Sequence, residues 1–349
     1  MKEFTKEHSL MAKGVAIMLL LLYHLFHEEY VLQQMNVNYA PFSQEGILKL
    51  AGFGNICVAI FVLLTAYGLS TIVFSNSNRT LKEIFADSLK RFGRLMLNFF
   101  AVYLSINLIC FSLFDYAKLY GAGKQGVLML LCDATGLSAV FKTPMMNETW
   151  WYMKLAYILI FFVPVLAVLV KKTGNALLLL AFLAPFVVNF DADVERYLFV
   201  AVFGVCAAYG EWPKKLMNLK IHPVFWWLLA IFGSFLCVLI RQNAVVKEYF
   251  WNYADAAIAF FIICATVMSI GRVPVLNKVL MFIGKHSMNI FLVHTFFYLI
   301  VWRNYVYYFE YAPVTFLILL AASLAYSVVL EFLKKYIGKF GNFLYKKVK

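Results

Sequence analysis

Charge is scarce in this chain. Only 14% of its 349 residues are Asp, Glu, Lys or Arg, against 63% that are hydrophobic. No polar stretch exceeds a few tens of residues, so no part of the sequence can form a separate soluble domain. Paired cysteine motifs are also missing. The six cysteines (Cys57, Cys110, Cys132, Cys206, Cys237 and Cys264) contain no C-x-x-C pair, and most lie in apolar runs, where Cys behaves as a small hydrophobe. This excludes a disulfide framework and a zinc site. No segment repeats at a fixed period, which excludes a solenoid array. The first apolar run is followed by His27, Glu28, Glu29 and Tyr30 rather than by a small-residue cleavage site, so a retained anchor is expected in place of a cleaved signal peptide.

What remains is hydrophobicity and its spacing. Apolar windows fall at 12–30, 52–74, 94–114, 150–170, 175–191, 196–210, 221–240, 254–270, 282–302 and 313–333. The pattern predicts an all-α, polytopic integral membrane protein of about ten transmembrane helices. It forms a single domain over 1–349, with 334–349 as a basic tail. The windows at 175–191 and 196–210 are short, and fit either a tight hairpin or interrupted helices. Residues 124–140 are apolar but broken by Asp133 and Gly136, which suits a re-entrant or interfacial segment.

The net charge of +13 would suggest nucleic acid in a soluble protein. Here its distribution explains it better. Lys2, Lys6 and Lys13, then Arg79, Lys82, Lys90, Arg91 and Arg94, then Lys171, Lys172, Lys214, Lys215, Lys220, Arg272, Lys278 and Lys285 all fall on alternate sides of the windows that share the terminal Lys-rich tail. Acidic residues concentrate on the other side, including Glu28, Glu29, Glu45 and the Asp191 to Glu195 segment. The positive-inside rule then places both termini in the cytoplasm of a cell-membrane protein. The tail KKYIGKFGNFLYKK reads as an amphipathic anchor on the lipid bilayer, and no nucleic-acid partner is expected.

Four groups of polar residues inside these windows need a reason, because an ionisable side chain in hydrocarbon costs several kcal/mol or is driven neutral. Lys13 and His24 lie three turns apart on one helix face. The rise between them is roughly 16 Å at 1.5 Å per residue. His24 can be a catalytic base, oriented by Glu28 one turn later, or an interhelical hydrogen-bond donor. Lys13 can bind an anion or snorkel to the headgroups. His24, His27 and Glu28 form at most a partial metal site, and no bound metal is expected. Arg91 and Arg94 form the second group; two guanidiniums on one face suit a phosphorylated cofactor or simply mark the cytoplasmic side. The third is Lys285, His286, Ser287 and Asn289 with His294 further in, the Ser and Asn being placed as helix caps. Trp150, Trp151 and Tyr152 with Lys154 are the fourth, an interfacial belt with a lysine just inside it.

Together these residues carry a resemblance. SLMAKGVAIMLLLLYHLF is similar to the opening helix of the membrane acyltransferase-3 family, with its basic residue and histidine separated by ten residues. ICVAIFVLLTAYGLS, RFGRL, WWYMKLAYILIFFVPVL and GKHSMNIFLVH resemble further elements of that family, in the same order. Two positions depart from its pattern: the usual arginine is Lys13, and the usual Ser-Gly of the second helix is Thr65-Ala66. The resemblance implies an O-acyltransferase that moves an acyl group, typically acetyl, from cytosolic acyl-CoA to a hydroxyl of a surface glycan or its lipid-linked precursor. It implies no tightly bound cofactor. His24 would be catalytic, Lys13, Arg91 and Arg94 would hold the acyl-CoA, and Glu28, Trp151 and His294 would line the acceptor. The alternative is a transporter or flippase of a polar solute or lipid-linked glycan, with His24 and His294 as a midplane relay.

Overall fold

The computed structural model describes residues 3–27, 35–76 and 79–348, with side chains as far as Tyr336. Every extended element among them is helical. In chain order the principal helices are α1 (Lys6–Phe26), α2 (Gln44–Phe53), α3 (Cys57–Phe74), α4 (Leu81–Cys110) and α5 (Gly123–Ala134). Then come α6 (Tyr152–Thr173), α7 (Ala176–Val187), α8 (Ala192–Tyr209), α9 (Pro223–Gln242), α10 (Trp251–Met268), α11 (Pro274–Thr295) and α12 (Ala312–Val348). Among the described residues, seven helical stretches are long and apolar enough to cross a membrane: Lys6–Phe26, Gln44–Phe74, Leu81–Leu113, Glu148–Thr173, Pro223–Gln242, Val246–Arg272 and Ala312–Tyr336. The chain is therefore an all-α, polytopic membrane protein. The windows at 175–191, 196–210 and 282–302 hold α7, α8 and α11, the last continued by a π-helical turn at Phe296–Ile300. The broken stretch at 124–140 folds as α5 and a short helix at Ser138–Phe141.

Internal contacts divide the chain into two units. The first comprises Met1–His27, Phe42–Phe92 and Leu155–Lys285; the second comprises Glu28–Pro41, Gly93–Lys154 and His286–Lys349.

Small residues set the packing of the first unit. A Cβ on Gly14 of α1 would run into the Leu280 carbonyl oxygen of α11, and one on Gly284 of α11 would run into that of Leu10. Two helices that lack side chains at their crossing bring backbones together, the main source of helix affinity where no hydrophobic effect operates. Helices α3 and α8 form an extensive pair. There Gly204 of α8 fills the small position: a Cβ on it would lie 2.8 Å from the Leu63 oxygen and 2.9 Å from the Ala66 Cβ. The missing glycine of the second-helix motif is thus supplied by the facing helix, and Ala66 stays fully buried. Gly284→Val should lose roughly 1–3 kcal/mol by overpacking. Gly68→Ala, which meets nothing within 4 Å, is the control. Thermal unfolding of the full-length protein in lipid nanodiscs reads both, and equal stability of the two variants would refute the close-packing account.

Buried polar bonds hold the second unit. Trp150 is 1% exposed, donates from Nε1 to the Leu292 oxygen at 2.9 Å and packs edge-on to Phe99. Asp133, which the sequence places in a break, is 1% exposed. It accepts from the Tyr120 hydroxyl at 2.6 Å and from the Met146 N–H at 2.8 Å, tying α5 to the loop before α6. Burial pushes its carboxyl up to about 6, against the pull of those two bonds.

Candidate active site

Helix α1 starts on a capping box. The Thr5 N–H donates to His8 Nδ1 at 3.0 Å, and Thr5 Oγ1 accepts from the His8 N–H at 3.4 Å. The helix continues without a break to Phe26, so Lys13, Ile17, Leu20 and His24 follow one face at spacings of four, three and four. Ile17 and Leu20 are 0% and 1% exposed, while Lys13 and His24 at the two ends are half-buried. The stripe therefore faces protein. A lipid-facing stripe would leave the two aliphatic side chains open.

Because α1 occupies Lys6–Phe26, His24 stands in its last turn, about three turns beyond Lys13. Its ring meets Tyr23 edge-on at 5.0 Å, and Tyr23 in turn stacks on His27 at 4.7 Å. Glycines bring α2 and the turn at Gly54–Ile56 against this end of α1. A Cβ on Gly52 would lie 3.6 Å from His27 Nδ1, and one on Gly54 would strike the Leu19 oxygen and lie 3.1 Å from the Tyr23 Cβ. Glu28, expected to orient His24, lies outside the described residues.

Arg91 and Arg94 sit on one helix, α4. The Arg91 turn is fixed on both sides: Ser88 Oγ donates to the Ile160 oxygen of α6 at 3.0 Å, and Phe92 packs on Tyr157 at 4.7 Å. Arg91 is half-buried and Arg94 exposed. Asp87, one turn earlier, is paired with Arg79.

His294, in the last turn of α11, is 0% exposed. The Phe291 carbonyl lies 2.7 Å from Nδ1, which assigns a proton to that nitrogen, and Nε2 lies 3.5 Å from the Thr295 hydroxyl. Thr295 continues to Thr149 at 3.1 Å, and Thr149 to Asn147 Oδ1 at 2.8 Å. Trp151, half-buried, occupies the turn Glu148–Trp151 beside them. Lys13, His24 and Arg91 thus belong to the first unit, and Arg94, Trp151 and His294 to the second. Among the described residues, no three His, Cys, Asp or Glu side chains come together as metal ligands.

A family of acyltransferase domains, the acyltransferase-3 family, matches residues 11–332, nearly the whole chain and both ends of the Lys13 to His24 stripe. The chain belongs to the acyltransferase-3 family. No curated protein and no solved structure matches it significantly. It is an acyltransferase of the membrane type.

Two polar constellations of this acyltransferase-3 chain have partners that the sequence does not show. Ser287 and Asn289 are not caps, because α11 begins at Pro274 and places both well inside the helix. Asn289 Nδ2 donates to Ser327 Oγ at 3.0 Å and to Glu331 Oε1 at 2.9 Å, and its Oδ1 accepts from Asn98 at 3.3 Å. His286 Nδ1 reaches the same Ser327 at 2.8 Å. In the first unit Arg241 forms a two-bond fork on Asp255, at 2.7 and 2.9 Å, and donates to the Phe53 oxygen at 3.1 Å. The available signal was the presence of polar residues within or beside apolar windows. The pairing was not visible.

Proposed function

We propose that this membrane acyltransferase moves an acyl group, acetyl in the first instance, from cytosolic acyl-CoA to a hydroxyl of a cell-surface or exported glycan. It works in the cell membrane with both termini in the cytosol. The observation that supports this reading is the α1 stripe, which keeps one basic residue and one histidine on a protein-facing surface whose intervening residues are buried. A neutral His24 accepts the proton of the acceptor hydroxyl as its oxygen attacks the thioester carbonyl. The carbon–sulfur bond then breaks, and the CoA thiolate leaves and takes up a proton. In the covalent variant the imidazole receives the acyl group first and passes it on. Trp151 and His294 line the acceptor side.

Lys13, Arg91 and Arg94 hold the phosphates of CoA by charge-assisted bonds. Such bonds contribute roughly 1.5–3 kcal/mol each. Arg91→Ala and Arg94→Ala should therefore each raise the donor KM by about tenfold or more, with the protein still inserted. Acyl transfer from labelled acetyl-CoA in membranes measures this. If both variants have wild-type KM values, the arginines serve topology alone.

A further inference from the structure

The Arg241–Asp255 pair does more than join two helices, because Trp251 and Arg196 are built onto it. Trp251 Nε1 donates to Asp255 Oδ2 at 2.9 Å, and its ring lies under two guanidiniums, Arg241 at 5.1 Å and Arg196 at 4.8 Å. Arg196 is held in place by this stacking and by a long bond to Asn55 Oδ1 at 3.5 Å. Its Nε is buried and has no hydrogen-bond partner among the described residues. Burial keeps that atom from any ligand, so Arg196 can meet one only through the terminal nitrogens of its guanidinium. Arg196 borders a cavity of about 320 Å³, together with Glu195, Lys247, Glu248, Tyr249 and Asn252.

The walls of this cavity identify its ligand class. Two cations and two carboxylates balance, so no net field selects an anion or a cation. Donors and acceptors both line this one volume, which suits groups that both donate and accept, as hydroxyls do. Tyr249, 64% exposed, adds an aromatic side chain to the lining. The cavity is also linked to α1. Arg241 grips the carbonyl of Phe53 and Arg196 the side chain of Asn55, while Gly54 between them packs on Leu19 and Tyr23, the neighbour of His24. We propose that this cavity binds one neutral sugar ring of the acceptor, with Arg196 as the principal hydrogen-bond donor and Trp251 as the residue that positions it. The assignment rests on the glycan-acceptor reading above.

The test uses full-length protein in nanodiscs made without glycoside detergents, with saturation-transfer NMR on cellotriose and chitotriose as neutral probes and glucuronic acid as the anionic one. The neutral sugars should give signals, with Arg196→Gln weakening them at least tenfold in Kd. Asn252→Ala, at the cavity wall, should weaken them in the same direction, and it carries the test if Arg196→Gln does not fold. Absence of signal from both neutral sugars overturns the proposal, as does unchanged affinity in the variants or tighter binding of glucuronic acid. Acyl transfer is assayed on the same preparations. Failure of the wild type to transfer any acyl group overturns the enzymatic reading alone, since sugar binding is judged separately. Transfer with an acceptor KM unmoved by Arg196→Gln overturns the cavity alone.

Discussion

His24→Gln should abolish acylation of the surface glycan while the protein remains folded and inserted. Glutamine preserves much of the size and hydrogen-bonding capacity of histidine but cannot accept a proton near neutral pH, nor carry an acyl group. A positioned general base contributes about 10²–10⁴-fold in rate, so the remaining transfer should fall at or below one part in a hundred of wild type, a loss of about 2.7 kcal/mol or more at 1.36 kcal/mol per tenfold. The structure sharpens the test. His24 ends a stripe whose middle residues, Ile17 and Leu20, are buried, and it is itself only half-buried, so it keeps access that a core histidine would lack. His294→Gln should be milder, because Nδ1 of His294 is committed to the Phe291 oxygen and the proposed role of the residue is to orient the acceptor. The measurement is the acyl content of purified glycan from a deletion strain complemented by each variant. Wild-type acylation by His24→Gln would make the histidine a structural group and remove the chemical step proposed for it.

The second large effect concerns stability. Arg241 and Asp255 have side chains only 7% and 3% exposed, and their fork is the main compensation for removing two charges from water. Arg241→Met leaves the Asp255 carboxylate buried, still accepting from the Trp251 indole N–H but without the guanidinium. Breaking a buried pair from one side costs about 3–5 kcal/mol, enough to unfold a marginal protein at its growth temperature. The double variant Arg241→Met, Asp255→Leu should recover most of the loss, since replacing both partners removes the uncompensated charge. Arg241→Lys keeps the charge but not the planar fork, and should fall between. Unfolding in nanodiscs, followed by tryptophan fluorescence, compares the three. A single variant as stable as wild type would mean that water already reaches Asp255.

The sequence by itself determined the class of this protein. Hydrophobic runs of membrane-spanning length are a local property, and backbone groups in a bilayer can be satisfied within one segment only by a helix. Each apolar window therefore holds a helix, and the order of short motifs along the chain was enough to indicate the acyltransferase-3 family. Spacing alone also put Lys13 and His24 on one face, since helical pitch is fixed. Where that face points was not local. Ile17 and Leu20 would look the same in a lipid-facing helix, and only packing showed them buried. Glycine roles were equally non-local: Thr65-Ala66 looks like a lost contact until Gly204 of another helix fills the position against Ala66. Asn289 reads as a cap until α11 is seen to begin at Pro274, which turns the amide toward Ser327 and Glu331. Arg241 and Asp255 lie at the ends of two separate windows, and nothing local pairs them, yet they close on each other and create the setting for Arg196. Hydropathy decides which segments leave water, because it sums over neighbours in the chain. The partner of a buried polar side chain is decided by whichever group folding brings within 3 Å or so, and that is fixed only by the tertiary structure.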